Sequence, residues 1–178
     1  MKKLLIAMLT MVMFVSCTTV SLDSLGYTDL GNGVYEKYDP FSEATVYNSQ
    51  SSVDLYSEVN TYISIINDGK HEFTYLNFKY RGSDWIFFDN ATLINNYGGN
   101  LSYDCDDTSR EVVTGSGVSV RETGYAVLDE KEKQELLDFI NQAEDGVINI
   151  QLRGKKFRKR TLSPTQISDL VTMLKFEK

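Results

Sequence analysis

The sequence predicts an α+β fold in which a mainly antiparallel β-sheet, or a β-sandwich, carries two C-terminal amphipathic helices. Three observations lead to this prediction. Eleven tyrosines, nine phenylalanines and one tryptophan give the chain the aromatic content that sheets favour. Apolar and polar residues alternate over much of the first two thirds of the chain, and turn signals separate these runs. Two segments with helical spacing, each behind a capping sequence, follow residue 128.

The first predicted hairpin lies within residues 53–80. From Val53 to Ile65 apolar residues alternate with polar ones, which is the period of a strand. The turn sequence Asn67-Asp68-Gly69 follows, and Phe73–Tyr80 resumes as an aromatic-rich run. We therefore expect these two runs to pair antiparallel.

The middle of the chain supplies the predicted core strands. Trp85-Ile86-Phe87-Phe88, within Asp84–Asp89, is a continuous apolar run with the length of a central strand, and Ala91–Ile94 extends it. Residues 101–105 alternate after a glycine-rich turn, and further strands are predicted between Glu111 and Leu128.

Two helices and an intervening hairpin complete the prediction. Asp129 and Glu132 have the spacing of a capping box and open a helix that ends near Gly146. Ser163 followed by Pro164 opens the second helix. Between the helices, 147–153 and 156–162 form a predicted hairpin around Gly154-Lys155.

The N-terminus has the pattern of an export signal. Lys2 and Lys3 precede the apolar run Leu4–Val15, which is shorter than the ~20 residues that cross a bilayer as a helix, and Ser16 is a small residue before a cleavage point. Phe14-Val15-Ser16-Cys17 resembles the lipobox of bacterial lipoproteins, with Phe14 where Leu is usual. An ordinary secretory signal and an uncleaved anchor are the alternatives.

The lipobox resemblance implies that Cys17 becomes the first residue of the mature chain and carries acyl chains such as palmitate. It implies a lipid-anchored protein of the bacterial cell envelope. Thr18, rather than Asp, after the cysteine implies the outer membrane in a bacterium that has two membranes. The predicted organisation is a signal peptide at 1–16, a lipidated N-terminus and flexible tether at 17–34, and one β-rich domain at 35–178.

Composition excludes some classes of partner. Cleavage before Cys17 removes two lysines and no acidic residue, so the formal net charge of −7 becomes −9. Such an acidic chain is not expected to bind nucleic acid. Length requires no second domain.

Catalytic signatures are scarce. His71 is the only histidine and sits beside a predicted hairpin turn, and Cys105 is alone if Cys17 is acylated, although an unprocessed chain leaves a Cys17–Cys105 bridge open. We therefore predict no catalytic residues, no metal site, zinc in particular, and no cofactor. Asp104, Asp106 and Asp107 could supply oxygen ligands to calcium, but their segment lacks the glycine and distal glutamate of an EF-hand loop.

The strongest local feature is a basic segment, Arg153–Arg160, with six basic residues in eight positions. On a strand, Lys156, Arg158 and Arg160 share one face, and these three residues are the predicted binding residues. The predicted partner is an anionic glycan, a lipid or an acidic protein. The alternative is an edge strand that its lysines protect from aggregation, or one paired with acidic residues of the same domain.

A second resemblance concerns the folded part. Tyr80–Phe87, Val147–Gly154 and the helix start at Leu162-Ser163 are similar to small bacterial envelope lipoproteins, a likeness that implies a class of protein and no mechanism. The prediction is a membrane-anchored, non-enzymatic binding or structural module of the envelope, with its oligomeric state open. A hydrolase of the cell envelope, or a secreted one, with an unrecognised active site is the alternative, as is a surface antigen.

Overall fold

The computed structural model describes residues 21–54, 57–114, 118–143 and 146–177. The signal peptide predicted at 1–16 and the lipidation site Cys17 lie outside these residues. The described chain confirms the predicted α+β class, because it forms two antiparallel sheets and two helices.

The strands of the described chain are β1 (Thr28–Gly31), β2 (Val34–Asp39), β3 (Ala44–Ser49), β4 (Val59–Asn67), β5 (Glu72–Gly82), β6 (Asn90–Asn95), β7 (Asn100–Asp104), β8 (Asp107–Thr114), β9 (Val118–Leu128), β10 (Ile148–Arg153) and β11 (Phe157–Thr161). Seven of them form the large sheet in the order β1-β2-β3-β4-β5-β9-β8, and four form the small sheet in the order β11-β10-β6-β7. All neighbouring strands are antiparallel.

One hydrophobic core lies between the two sheets. Ile63, Leu76 and Phe78 of the large sheet are fully buried, as are Leu93 and Ile150, which are cross-strand partners in the small sheet. Each such side chain contributes about 1.5–3 kcal/mol when it leaves water, so this layer is the main favourable term in folding.

Both helices start as predicted. In α1 (Glu130–Gln142), Asp129 and Glu132 form a reciprocal capping box, and the buried face contacts β7 and β9, one strand from each sheet. In α2 (Pro164–Leu174), Ser163 and Gln166 form a second capping box, and the helix packs on β3, β4 and α1. Neither helix has the length and apolar character that crossing a membrane requires.

The predicted hairpins at residues 53–80 and 147–162 are confirmed, with Ile66 opposite Phe73 and Arg153 opposite Phe157. The first strand starts later than predicted, because residues 50–53 form a 3₁₀ helix. Asp169 of α2 causes this difference: its carboxylate accepts hydrogen bonds from the backbone N–H of Ser51 at 2.9 Å and from its hydroxyl at 2.5 Å.

The fold includes part of the segment predicted as a tether. Within 17–34, a 3₁₀ helix at Asp23–Leu25 and strand β1 precede β2, and Leu22 is only 1% exposed. Asn48 of β3 donates a hydrogen bond to the Tyr27 hydroxyl at 3.1 Å, so this segment is attached to the large sheet.

The prediction of a strand at Asp84–Asp89 is wrong. These residues form a loop between β5 and β6, and only β6 matches the predicted extension. Ile86 and Phe88 are fully buried, whereas Phe87 is 38% exposed and has a left-handed backbone with φ of 54°. The backbone N–H groups of Ile86, Phe87 and Phe88 bond to a side chain rather than to a neighbouring strand, as described next.

Candidate functional site

The predicted binding residues Lys156, Arg158 and Arg160 lie on one face of the basic hairpin, which we call the inner row; Arg158 and Arg160 are partly buried, whereas Lys156 is exposed. Lys156 Nζ lies 3.7 Å from Asp84 Oδ2, Arg158 Nε donates to Glu58 Oε1 at 2.9 Å, and Arg160 donates to the Val59 carbonyl at 3.1 Å. The structure therefore gives each of the three a partner within the domain. This arrangement matches the alternative in which the basic strand pairs with the rest of the chain.

The outer row of the same hairpin consists of Lys155, Phe157 and Lys159, all exposed. Phe157 is 65% exposed, and its cross-strand partner Arg153 is exposed as well. Cations and an apolar ring thus alternate along the solvent side of this edge strand. The charges available to a ligand are mainly those of the outer row, which sequence reasoning did not select.

Beneath the hairpin, the carboxylate of Glu122 is completely buried and holds the loop that replaced the predicted strand. Its Oε1 accepts hydrogen bonds from the backbone N–H of Ile86 at 2.6 Å and of Phe87 at 3.0 Å, and its Oε2 accepts from Phe88 N–H at 3.2 Å. Three successive amides that converge on one anion form a backbone nest. Charge-assisted bonds of this kind are stronger than neutral ones.

Arg110 closes the nest from strand β8. Its Nε donates to Glu122 Oε2 at 3.2 Å, and its Nη2 donates to the Phe88 carbonyl at 3.2 Å. Arg110 lies directly opposite Glu122 in the β8–β9 pairing, so the sheet register sets this ion pair. The pair compensates the buried negative charge, which would otherwise be costly.

The left-handed backbone of Phe87 turns its ring outward, where cations flank it. The ammonium of Lys155 is 4.5 Å from the ring centroid and the guanidinium of Arg110 is 5.4 Å from it. The Trp85 ring is 6.1 Å away. Both cation distances are in the range of favourable cation–π interactions, so Phe87 helps to hold like charges close together.

The hairpin and the loop are packed backbone against backbone. Lys156 N–H donates to the Ile86 carbonyl at 3.2 Å, and Asp89 N–H donates to the Arg153 carbonyl at 3.0 Å. A Cβ atom at Gly154 would overlap the carbonyl group of Phe87, so only glycine fits there. We call this surface the basic end and define it as Trp85, Phe87, Arg110, Arg153, Lys155, Lys156, Phe157 and Lys159.

The remaining sequence candidates lie in unremarkable settings. His71 is exposed at the β4–β5 turn, with Nδ1 3.6 Å from Asp68 Oδ2. Asp104 accepts a hydrogen bond from Asn90, and Asp106 accepts one from Val127 N–H. In the described part of the chain, no group of three or more His, Cys, Asp or Glu side chains is arranged to hold a metal ion.

Cys105 is partly buried between β7 and β8. Burial, followed by the charges of Asp89, Asp104 and Asp106, raises the pKa of its thiol to about 11. Because the thiolate is the reactive form, this setting makes Cys105 a poor nucleophile near neutral pH.

The chain was compared with protein families, with characterised proteins and with solved structures, and none of the three comparisons gives a match.

We predict that Glu122→Gln lowers the free energy of unfolding by about 3 kcal/mol, because the amide removes a buried charge that Arg110 and three backbone N–H groups compensate. Chemical denaturation measures the loss. The matched control is Glu111→Gln, which breaks an exposed ion pair with Arg121 and should cost less than about 1 kcal/mol. Equal losses in the two variants would show that the nest does not stabilise the fold.

We predict that iodoacetamide alkylates Cys105 at pH 8 about 100-fold more slowly in the folded chain than in denaturant, because the folded thiol titrates near 11 rather than at its ordinary 9.0. The Cys17→Ser variant isolates this thiol, and mass spectrometry follows the reaction. In the folded chain the rate should climb with pH up to about 11. Similar rates in the folded and denatured chains would contradict the assignment.

Proposed function

We propose that this chain is a membrane-anchored lipoprotein of the bacterial envelope and a non-enzymatic binding module, attached through acyl chains on Cys17. The sequence of residues 1–17 supports the anchor, since a charged start, a short apolar run and a lipobox-like end are the marks of such a signal. Two or more acyl chains hold a protein stably on a membrane, because each buried methylene contributes about 0.8 kcal/mol.

We further propose that the basic end contacts the anionic lipid headgroups of the membrane. The observation that carries this step is the combination of exposed cations with the exposed rings of Phe87 and Phe157 on one rigid surface. Lysine and arginine near an anionic membrane contribute about 1 kcal/mol each, and aromatic rings favour the interface between headgroups and acyl chains.

Charge distribution favours a local rather than a general attraction. The predicted mature chain carries a formal charge of −9, yet Arg153–Arg160 contains six basic residues and no acidic one. An anionic surface therefore attracts this end and repels much of the remainder. A domain tethered by its N-terminus would be oriented by such a contact, which is short-ranged because salt screens it within about 10 Å.

The hydrolase alternative would need His71 to join two carboxylates in a pocket. The described structure instead places its ring 6.1 Å from Phe73 and beside Asp68 at an exposed turn. We therefore retain the binding module as the proposal.

The anchor is tested by the intact mass of the protein recovered from membranes. We expect a mature N-terminus at Cys17 with added acyl mass, and Cys17→Ser should abolish both the acyl mass and the membrane association. An unacylated, soluble wild-type product would refute the lipoprotein proposal and reopen a disulfide with Cys105.

The lipid contact is tested with Trp85, the only tryptophan of the chain and part of the basic end. We use the chain from residue 17 with Cys17→Ser, so that no acyl group contributes. Trp85 emission should shift to shorter wavelength on vesicles that contain phosphatidylglycerol, and not on pure phosphatidylcholine. Added salt should reverse the shift.

Paired charge variants locate the contact. Lys155→Ser combined with Lys159→Ser should weaken vesicle binding roughly 30-fold, because two cations are lost at about 1 kcal/mol each. The control, Lys70→Ser with Lys131→Ser, changes the net charge equally at exposed positions outside the basic end. Equal weakening in both pairs would contradict a localised contact. The outer row is the better target, since changing Lys156, Arg158 and Arg160 also removes contacts within the fold.

A further inference from the structure

A second candidate binding surface lies on the outer face of the large sheet, the face that points away from the core. Cross-strand pairing places Tyr62 of β4 beside Asn77 of β5, and Asn77 beside Tyr125 of β9. Asp107 of β8 lies opposite Tyr125 on the same face. The strand neighbours of Tyr62 and Asn77 are buried, namely Thr61, Ile63, Leu76 and Phe78, so Tyr62 and Asn77 project from the opposite face of the sheet.

These residues line an open cavity of about 230 Å³. The lining combines two tyrosine rings with hydroxyl, amide and carboxylate groups, namely Tyr62, Asn77, Asp107, Ser109, Thr123, Gly124 and Tyr125. Roughly 300–1,000 Å³ is usual for pockets that enclose a drug-sized ligand, so this cavity suits a single ring of a larger molecule.

The aromatic wall is fixed in orientation. The rings of Tyr75 and Tyr125 meet edge to face, with centroids 5.3 Å apart and planes at 80°. This is a preferred geometry for aromatic pairs, because the positive ring edge meets the negative ring face. The phenol of Tyr62, which also lines the cavity, can both donate and accept a hydrogen bond.

A chain of hydrogen bonds holds the polar groups beside the cavity. Asn77 Nδ2 donates to Ser64 Oγ at 3.1 Å, Ser64 Oγ donates to Asn48 Oδ1 at 2.6 Å, and Asn48 Nδ2 donates to the Tyr27 hydroxyl at 3.1 Å. Asn77 Nδ2 also bonds to the Tyr75 carbonyl. Since Nδ2 is committed to the sheet, the acceptor Oδ1 is the group that Asn77 offers to a ligand.

The second wall is made of hydroxyls. Ser109 Oγ and Thr123 Oγ1 are cross-strand partners 2.6 Å apart, and each hydroxyl can both donate and accept. Asp107 supplies the one formal charge of the lining, and it is negative. An anionic ligand is therefore disfavoured, and so is a wholly apolar one, because it would leave the hydroxyl, amide and carboxylate groups of the lining without hydrogen-bond partners.

We propose that this cavity binds one residue of an uncharged saccharide. The C–H groups of a sugar ring pack on an aromatic face, and its hydroxyls exchange hydrogen bonds with amide, carboxylate and hydroxyl groups at the rim. Both kinds of group are present here within one small, ordered cavity. The inference goes beyond the proposed function and uses no residue of the basic end.

The test is a titration, followed by NMR, of the chain from residue 17 with Cys17→Ser, which contains every described residue of the fold. The probes are neutral tetrasaccharides of glucose, galactose, mannose and N-acetylglucosamine. We expect at least one of them to shift the ring signals of Tyr62 and Tyr125 in a saturable manner that salt does not change. No shift with any probe, or shifts confined to other parts of the chain, would overturn the proposal.

Variants at the cavity separate stacking from folding. Tyr125→Ala should weaken binding by about tenfold or more, whereas Tyr125→Phe keeps the ring and should retain most of the affinity. Tyr38→Ala removes an exposed ring that is not among the cavity residues and should have no effect. Equal loss in Tyr38→Ala and Tyr125→Ala, or full binding by Tyr125→Ala, would overturn the assignment. Vesicle binding through the basic end should be unchanged in all three, so failure of one proposal is distinguishable from failure of the other.

Discussion

The carboxylate of Glu122 is the constraint on which one end of this sandwich depends. Three successive backbone N–H groups point at a single buried anion, so these N–H groups cannot also donate to a neighbouring strand. The apolar run at 84–89 therefore becomes a loop, and its middle residue takes the left-handed conformation that brings the amides together. Arg110 neutralises the anion and shields it. The basic hairpin then packs on a loop whose shape is already determined.

This construction explains how an acidic chain maintains a concentrated positive surface. Strand alternation divides the cations of the hairpin into two sets with different tasks. The inner set bonds to Asp84, Glu58 and the backbone of β4, which fixes the hairpin against the large sheet. The outer set is then held at the surface, where the Phe87 ring offsets part of the repulsion between Lys155 and Arg110. The cavity on the open face of the large sheet, where the one formal charge of the lining is negative, gives the molecule a second and chemically different surface.

Local signals in the sequence were sufficient for much of the fold. The capping residues Asp129 and Ser163 and the turn at Asn67–Gly69 act within a few residues, and all of them were predicted correctly. The loop at 84–89 was not predicted, because Glu122, the side chain that holds it, lies more than thirty residues away. No local pattern in the sequence distinguishes Glu122 from the other acidic residues. The basic hairpin was recognised, yet which row faces outward depends on Glu58, about a hundred residues distant. The cavity proposed to bind a saccharide takes its residues from four strands, so no contiguous motif in the sequence predicts it.

The strand order of the small sheet bears on how such a chain is made. Strand β6 pairs with β10, although β7, β8, β9 and α1 lie between them in the chain. Strands β1 to β5 and the β6–β7 hairpin join neighbours in the chain, whereas the small sheet is complete only when β10 and β11 are present. Contacts of such long range form slowly. Leu93 of β6, for example, lacks its cross-strand partner Ile150 until the last third of the sequence has been made. The topology thus delays completion of the native structure until the C-terminal strands are present.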